Sequence, residues 1–186
     1  KDFNLVYFGD SVTQGGDVLV EHRWTNRFTQ YLTETYPDKN FTIVNAAIGG
    51  TNSTFGRERF EQDVLAHKPD VVTVNFILND NGLDDESAID HNKYFVDELR
   101  RIGAEPVYIT SNMNTGSWMP GLDHAEQRII DFCDEQDLVC LDVYHIWTDL
   151  PKYAIPYETL LANGINHPDN VAVGLFYEML KRAMCS

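Results

Sequence analysis

The stretch Val6-Tyr7-Phe8-Gly9-Asp10-Ser11-Val12-Thr13-Gln14-Gly15 determines the fold prediction for the rest of the chain. An apolar run of β-branched and aromatic residues ends abruptly at Gly9, which predicts a buried strand followed by a tight turn. Ser11 comes directly after the strand, where open α/β sheets expose functional groups. Serine is also a favoured N-cap of a helix, so this stretch alone leaves Ser11 open between a nucleophile and a capping residue.

Composition and charge limit what Ser11 can belong to. The chain has 186 residues, 43% apolar and 23% charged, which is typical of an ordinary globular protein, and we expect residues 1–186 to form a single domain. Its net charge of -15 argues against binding to nucleic acid or to anionic membranes, which both need a basic surface. No apolar run approaches the roughly 20 residues of a membrane span. A neutral or cationic partner is therefore favoured, and the oligomeric state stays open.

Histidines, cysteines and the first residue add three smaller expectations. The six histidines are scattered without metal-ligand spacing, so we expect no metal site. The three cysteines have no framework spacing, which favours buried or idle thiols over disulfides. The sequence begins at Lys1 rather than methionine, which indicates a removed leader or a domain cut from a longer protein. The compartment stays open, with a secreted or cell-surface location favoured.

Strands and helices alternate along the chain. After a loop at 15–23, helical spacing of apolar residues predicts helices at 24–36, 57–67, 88–101, 125–136 and 171–184. Apolar runs predict further strands at 41–46, 71–78, 106–110 and 138–143. The run at 71–78 is almost continuously apolar, which is typical of a central parallel strand covered on both faces. Five strands alternating with helices predict an α/β fold, a doubly wound three-layer sandwich around a parallel sheet.

Three residues that follow predicted strands are expected to meet at one edge of this sheet. Right-handed crossovers place the carboxyl ends of all strands on the same side, which brings Ser11, Gly50 and Asn79 together. A serine there attacks a carbonyl, while N–H groups stabilise the oxyanion that forms. The donors would be the backbone N–H groups of Ser11 and Gly50 and the side-chain amide of Asn79. This combination predicts acyl transfer.

A general base is also needed, and His167 is the candidate. It lies in the polar loop Asn163-Gly164-Ile165-Asn166-His167-Pro168, immediately before the last predicted helix. A lone loop histidine is usually just solvated. The presence of a serine, a glycine turn and an asparagine at strand ends favours the catalytic interpretation.

Together these motifs resemble those of the SGNH, or GDSL-type, hydrolase family. The matching positions, in the family's order, are Gly9-Asp10-Ser11, Gly50, Asn79-Asp80 and His167-Pro168. The resemblance implies a flavodoxin-like α/β/α sandwich and hydrolysis of esters or thioesters without a cofactor. The segments 48–53 and 74–80 look closest to bacterial members that deacetylate carbohydrates.

Two positions depart from the family pattern. Ile77 stands where the family usually has a glycine two residues before the asparagine, and we expect its bulk to narrow the acyl site or to shift the strand end that carries Asn79. Gly164 stands three residues before His167, where the triad acid usually sits. We therefore expect His167 to act with Ser11 as a dyad or to be oriented by another group. The candidates are a backbone carbonyl at 163–165, Asn163, Asp142 and Asp149.

The leading hypothesis is a serine esterase that removes short acyl groups, acetyl above all, from a carbohydrate. Trp118, in the loop after the fourth strand, is a candidate for stacking on a sugar ring. Asp10 is a second candidate for substrate contact, beside its more ordinary role of tying its own turn together. One alternative is a lipase or thioesterase acting on longer chains, which the polar loops at 15–23 and 112–120 disfavour. The other is a catalytically weak carbohydrate-binding domain of the same fold, supported only by the two departures.

Overall fold

A single parallel sheet lies at the centre of the molecule. The computed structural model describes residues 2–115 and 121–185. The strands are β1 (Phe3–Gly9), β2 (Phe41–Asn45), β3 (Val71–Asn75), β4 (Glu105–Ile109) and β5 (Val139–Leu141). All neighbours pair in parallel in the order β2-β1-β3-β4-β5, the flavodoxin-like order. The predicted α/β fold with a five-stranded parallel sheet is confirmed.

Helices connect consecutive strands, and two more follow the last strand. They are α1 (Ser11–Gln14), α2 (Trp24–Thr35), α3 (Ser53–Asp63), α4 (Ile77–Asp80), α5 (Asp85–Ile102), α6 (Leu122–Gln136), α7 (Val143–Asp149) and α8 (Gly174–Cys185). Short 3-10 turns lie at Val20–His22, Leu65–His67, Leu150–Tyr153 and Tyr157–Leu160. The five longer helices predicted from apolar spacing are all present, with ends that differ by a few residues. Apolar spacing does not predict the short helices α1, α4 and α7.

The apolar run after residue 70 does not form one long strand. The prediction of a strand at 71–78 is wrong at its end, because β3 stops at Asn75 and Ile77 begins the short helix α4. The carbonyl of Phe76 accepts the N–H groups of both Asn79 and Asp80, which turns the chain. A buried helical turn is as apolar as a buried strand, so composition alone cannot locate this boundary.

Alternate residues of β1 pack into the two halves of the core. Leu5 and Tyr7 belong to the cluster that contains Trp24 of α2, while Val6 and Phe8 belong to the cluster that contains Phe60 of α3. This alternation follows from the pleat of a strand whose two faces are both covered by helices. The three-layer arrangement therefore depends on the apolar residues of this first strand.

The end of β1 lies directly beside the end of β3. Gly9 pairs with Asn75 across the sheet, and a Cβ atom added to Gly9 would lie 2.4 Å from the Asn75 carbonyl oxygen. Only glycine permits so close an approach of backbone. The strand order also reverses between β1 and β3, which is where ligands bind in open α/β sheets. The sheet thus presents Ser11 at its topological switch point.

The opposite edge of the sheet carries a cavity of about 370 Å³. Phe3, Phe41 and Val71, the first residues of β1, β2 and β3, are among its lining residues, so it lies at the amino ends of the strands. Within residues 2–115 and 121–185, no helix has the length and apolarity needed to cross a membrane. The same residues contain no cluster of three metal-ligating side chains. Cys133 and Cys140 are free thiols.

Candidate active site

Ser11 is the first residue of α1, and Asp10 caps the helix. The Asp10 carboxylate accepts the N–H of Val12 at 2.9 Å, which is the bond expected of an N-cap residue. The indole N–H of Trp24 donates to the Val12 carbonyl and fixes the short helix against α2. The capping residue is therefore Asp10, and the Ser11 hydroxyl is left to make other contacts.

The Ser11 hydroxyl meets the imidazole of His167. Ser11 Oγ lies 2.9 Å from His167 Nε2, although 156 positions separate the two residues. The histidine loop is held by Asn163, whose side-chain oxygen accepts the N–H groups of residues 165, 166 and 167. Asn112, from the loop after β4, donates to the Asn166 carbonyl at 2.8 Å. Two strand-end loops thus hold His167 against the nucleophile turn.

The second imidazole nitrogen faces a carboxylate that the sequence did not single out. His167 Nδ1 lies 2.7 Å from Asp17 Oδ2. Asp17 lies in the loop between α1 and α2 and has a left-handed backbone with φ of 59°. Its side chain is 51% exposed, whereas that of His167 is 19% exposed. The position six residues after Ser11 is the only sequence signal that points to Asp17.

The candidates that the sequence offered for this contact are occupied elsewhere. Asp142 accepts the N–H of His145 at the start of α7, and Asp149 pairs with the Lys152 ammonium at 2.6 Å. The carbonyls of residues 164 and 165 accept bonds from Thr115. None of these groups orients the imidazole, so the relocated carboxylate is neither of the two predicted.

The glycine turn lies beside Ser11. A Cβ atom added to Gly49 would be 3.5 Å from Ser11 Cβ, and the Gly49 N–H donates to Gln14 Oε1 at 3.1 Å. Gly50, the next residue, has a left-handed backbone with φ of 75°. Because the Gly49 N–H is already bonded, Gly50 remains the candidate donor of this turn toward a bound substrate.

Asn79 connects three turns at this edge of the sheet. Its side-chain Nδ2 donates to Asp10 Oδ2 at 3.2 Å and to the Thr51 carbonyl at 3.0 Å. The amide therefore lies between the nucleophile turn and the glycine turn. Both of its N–H bonds have protein acceptors, so donation to a substrate oxygen requires one of them to be shared.

Two buried carboxylates lie beneath these turns. Burial, together with the nearby Asp80 carboxylate, raises the pKa of Asp10 to about 7. The hydrogen bond from the Val12 N–H acts in the opposite direction and lowers this pKa. Burial likewise raises the pKa of Asp80 to about 6, although its carboxylate accepts the Ser53 N–H. Asp10 has no exposed surface, so the prediction that it contacts substrate is not supported, and its role is to tie the turn.

Two other sequence predictions have different outcomes. Ile77 is 3% exposed and packs in the core cluster with Phe8 and Phe76, so its bulk does not narrow an acyl site. The Ile77 side chain lies in the core because the chain turns into α4 at this residue. Trp118 lies outside the described residues.

A serine hydroxyl, an imidazole and a carboxylate in a hydrogen-bonded series at the carboxyl edge of a parallel sheet form the arrangement of α/β serine hydrolases. The chain belongs to the GDSL-like lipase/acylhydrolase family, whose model matches residues 7–171. This membership confirms the resemblance seen in the motifs and places the chain, by class, among the carboxylic ester hydrolases.

Three similar proteins add detail. An uncharacterized lipoprotein, YqeF, of Bacillus subtilis is 32% identical over 120 residues, covering 58% of this chain and 47% of the relative. An acetylxylan esterase of Geobacillus stearothermophilus is 31% identical over 85 residues, covering 41% of this chain and 39% of the relative. The matches thus span less than half the length of either relative. A two-domain esterase active on acetylated mannans has a similar fold, with a TM-score of 0.82 at 21% identity, over 97% of this chain and 48% of that structure.

Proposed function

We propose that the chain is a serine esterase that removes acetyl groups from a carbohydrate, with Ser11 as nucleophile and His167 as general base. The observation that carries this proposal is the 2.9 Å contact between Ser11 Oγ and His167 Nε2 at the switch point of the sheet. Such a contact lets the imidazole accept the hydroxyl proton as the oxygen attacks a carbonyl carbon.

The reaction follows as two acyl transfers. Ser11 Oγ bonds to the acetyl carbon while its proton passes to His167 Nε2. The tetrahedral intermediate then collapses, and the sugar oxygen leaves with the proton from His167. In the second half, a water molecule gives its proton to His167 and attacks the acetyl-serine ester. Acetate leaves, and the proton returns to Ser11 Oγ.

Three N–H groups are the donors that this proposal assigns to the oxyanion in both halves. The Ser11 N–H belongs to the first turn of α1, where N–H groups have no acceptor within the helix. The Gly50 N–H and the Asn79 amide flank it from the turns that follow β2 and β3. Donors held in place by the fold cost little reorganisation when charge develops on the substrate oxygen, so they lower the barrier to acyl transfer strongly. The Asn79 amide becomes such a donor by sharing one of its two N–H groups between its protein acceptor and that oxygen.

Support for a carbohydrate comes from the surface around Ser11 and from the similar proteins. Ile48 and Phe55 are exposed on one side of the site, and the Ile48 N–H donates to the Gly9 carbonyl beside the nucleophile turn. Leu19 and Val20 are exposed on the loop that carries Asp17. Apolar side chains around a few polar groups suit the C–H faces of sugar rings. Two of the similar proteins are esterases of acetylated xylan or mannan.

The same exposed apolar residues favour one rival, an esterase of longer acyl chains. Turnover of p-nitrophenyl esters that share a leaving group and differ only in the acyl chain distinguishes the acetyl esterase from this rival. Because glycine and amide groups surround Ser11 in the described part of the chain, we expect acetate to exceed octanoate at least about tenfold in kcat/KM, equal to about 1.4 kcal/mol. Acetate release from an acetylated xylo- or manno-oligosaccharide is the companion measurement. Activity that rises steadily with acyl length would replace the carbohydrate esterase with the rival.

A second experiment concerns Asn79. The Asn79→Ala variant is expected to lower kcat by about 10²–10³-fold with little change in KM, as for other oxyanion donors. Since Asn79 also ties two turns together, the melting temperature is measured in parallel. The control is Asn4→Ala, because the Asn4 amide likewise donates to two backbone carbonyls, those of His67 and Lys68, at the amino end of the sheet. An effect confined to KM would mean that Asn79 positions substrate and does not stabilise the transition state.

A further inference from the structure

We propose that Asp17, on the loop that follows the nucleophile helix, is the positioning residue for His167 and replaces the acid missing at Gly164. This inference rests on the proposed function, because it assigns a role within the same site. In the family pattern the carboxylate belongs to the same loop as the histidine. Here the carboxylate belongs to the loop that follows the nucleophile helix α1.

The loop that delivers Asp17 has a defined geometry. The N–H groups of Gly15 and Gly16 both donate to the Ser11 carbonyl, at 2.9 and 2.8 Å, and this reverses the chain immediately after α1. Beyond Asp17, the Leu19 N–H donates to Asn170 Oδ1 at 2.9 Å. The loop is therefore anchored on the nucleophile turn at one end and on the histidine side at the other. Asp17 lies between these two anchors.

The backbone of the loop that carries Asp17 passes close to the imidazole of His167. A Cβ atom added to Gly16 would lie 3.0 Å from His167 Cε1 and 3.2 Å from His167 Nδ1. The absence of a side chain at Gly16 thus lets the loop approach the edge of the ring that carries Nδ1. Aspartate is among the few residues that adopt the left-handed backbone found at residue 17.

The chemical consequence is a fixed tautomer. His167 Nδ1–H donates to Asp17 Oδ2 at 2.7 Å, so the Nε2 lone pair faces the Ser11 hydroxyl. When the Ser11 proton moves to Nε2, the carboxylate also stabilises the imidazolium that forms. A neutral acceptor in its place would hold the ring without stabilising this charge.

The solvent exposure of Asp17 limits how strongly its carboxylate can stabilise the imidazolium of His167. Half of the Asp17 side chain is in contact with solvent, so water screens its interaction with His167 more than in a buried triad. We expect Asp17→Asn to lower kcat by about 10²- to 10³-fold, less than the roughly 10⁴-fold that follows loss of the carboxylate from a buried triad. KM is expected to stay within about threefold, because Asp17 acts on the imidazole and not on the substrate.

The experiment compares wild type, Asp17→Asn, Asp17→Ala and Asp149→Asn with p-nitrophenyl acetate. Asparagine keeps the shape of aspartate and its tolerance of a left-handed backbone, so the Asn variant isolates the charge. Asp149→Asn is the matched control, because its carboxylate is 48% exposed and pairs with a surface lysine. The rate at which a serine-directed phosphonate labels Ser11 is measured as well, since it reports activation of the nucleophile directly.

The proposal expects slow turnover and slow labelling in both Asp17 variants, with melting temperatures close to that of wild type and full activity in Asp149→Asn. It is overturned if Asp17→Asn stays within threefold of wild type in kcat. It is also overturned if the loss appears only in KM, or only in proportion to lost stability. Either result would mean that Asp17 stabilises the loop and does not position the His167 imidazole. An inactive wild type would instead contradict the proposed function, which keeps the two failures distinct.

Discussion

Ser11→Ala is expected to abolish ester hydrolysis while the fold stays intact. Without Oγ no acyl-enzyme forms, and in a serine hydrolase the loss of the nucleophile lowers kcat by about 10⁶-fold, leaving only the contribution of binding and the oxyanion donors. The Ser11 side chain packs little apolar surface, so the melting temperature is expected to change by only a few degrees. Turnover of p-nitrophenyl acetate, thermal melting and mass spectrometry after phosphonate treatment measure these outcomes.

The chain offers a matched control for this variant. Ser53 Oγ lies 3.1 Å from His91 Nδ1, which makes a second serine–histidine contact at the start of α3. Ser53 is fully buried, so no substrate reaches its hydroxyl. Ser53→Ala is therefore expected to retain wild-type turnover and phosphonate labelling at Ser11. Unchanged turnover in Ser11→Ala, or labelling at Ser53, would remove Ser11 from the mechanism.

His167→Ala is expected to be as inactive as Ser11→Ala. The Ser11 hydroxyl then has no group to accept its proton, and the leaving sugar oxygen has none to donate one. Because the two residues act as one unit, the double variant Ser11→Ala/His167→Ala is expected to be no slower than either single variant. Turnover numbers of the three variants test this non-additivity.

The control for His167 is a histidine with a similar carboxylate contact. His145 Nδ1 lies 2.5 Å from Asp142 Oδ2, but no serine hydroxyl faces its other ring nitrogen among the hydrogen bonds of the described residues. His145→Ala is expected to keep full activity. A loss of only about 10²–10⁴-fold in His167→Ala, the usual contribution of a general base by itself, would show that His167 and Ser11 do not act as one unit. A variant that retained more than about a hundredth of wild-type kcat would show that another group accepts the Ser11 proton.

Much of the fold is predictable because it rests on local patterns. The run at residues 5–8 specifies a strand that is buried on both faces, and the alternation of strands with helices specifies a parallel sheet. The convergence of Ser11, Gly50 and Asn79 then follows because the carboxyl ends of parallel strands lie on one side of the sheet, where β1 lies between β2 and β3. Local patterns do not supply the end of β3, since apolar residues continue into α4 without a break.

The missing acid shows the limit of reasoning from sequence most clearly. The absence of a carboxylate at Gly164 is visible in the sequence, which offers Asp142 and Asp149, at and after the end of β5, as replacements. Asp17 contacts His167 through a loop reversal that depends on two N–H bonds to the Ser11 carbonyl. No periodicity marks such a turn, and nothing in composition distinguishes Asp17 from the other acidic residues of an acidic chain.

The separation of His167 from both of its partners also bears on how the protein acquires activity during synthesis. Ser11 and Asp17 belong to one short segment near the first strand, whereas His167 follows them by 156 and 150 positions. Chains emerge from the ribosome amino end first, and contacts between distant segments form late because they close large loops. Under the proposed mechanism, the nascent chain therefore carries an unactivated serine alcohol until the histidine loop has docked. Ester hydrolysis then requires the sheet and the histidine loop together, and no smaller folding unit is expected to be active.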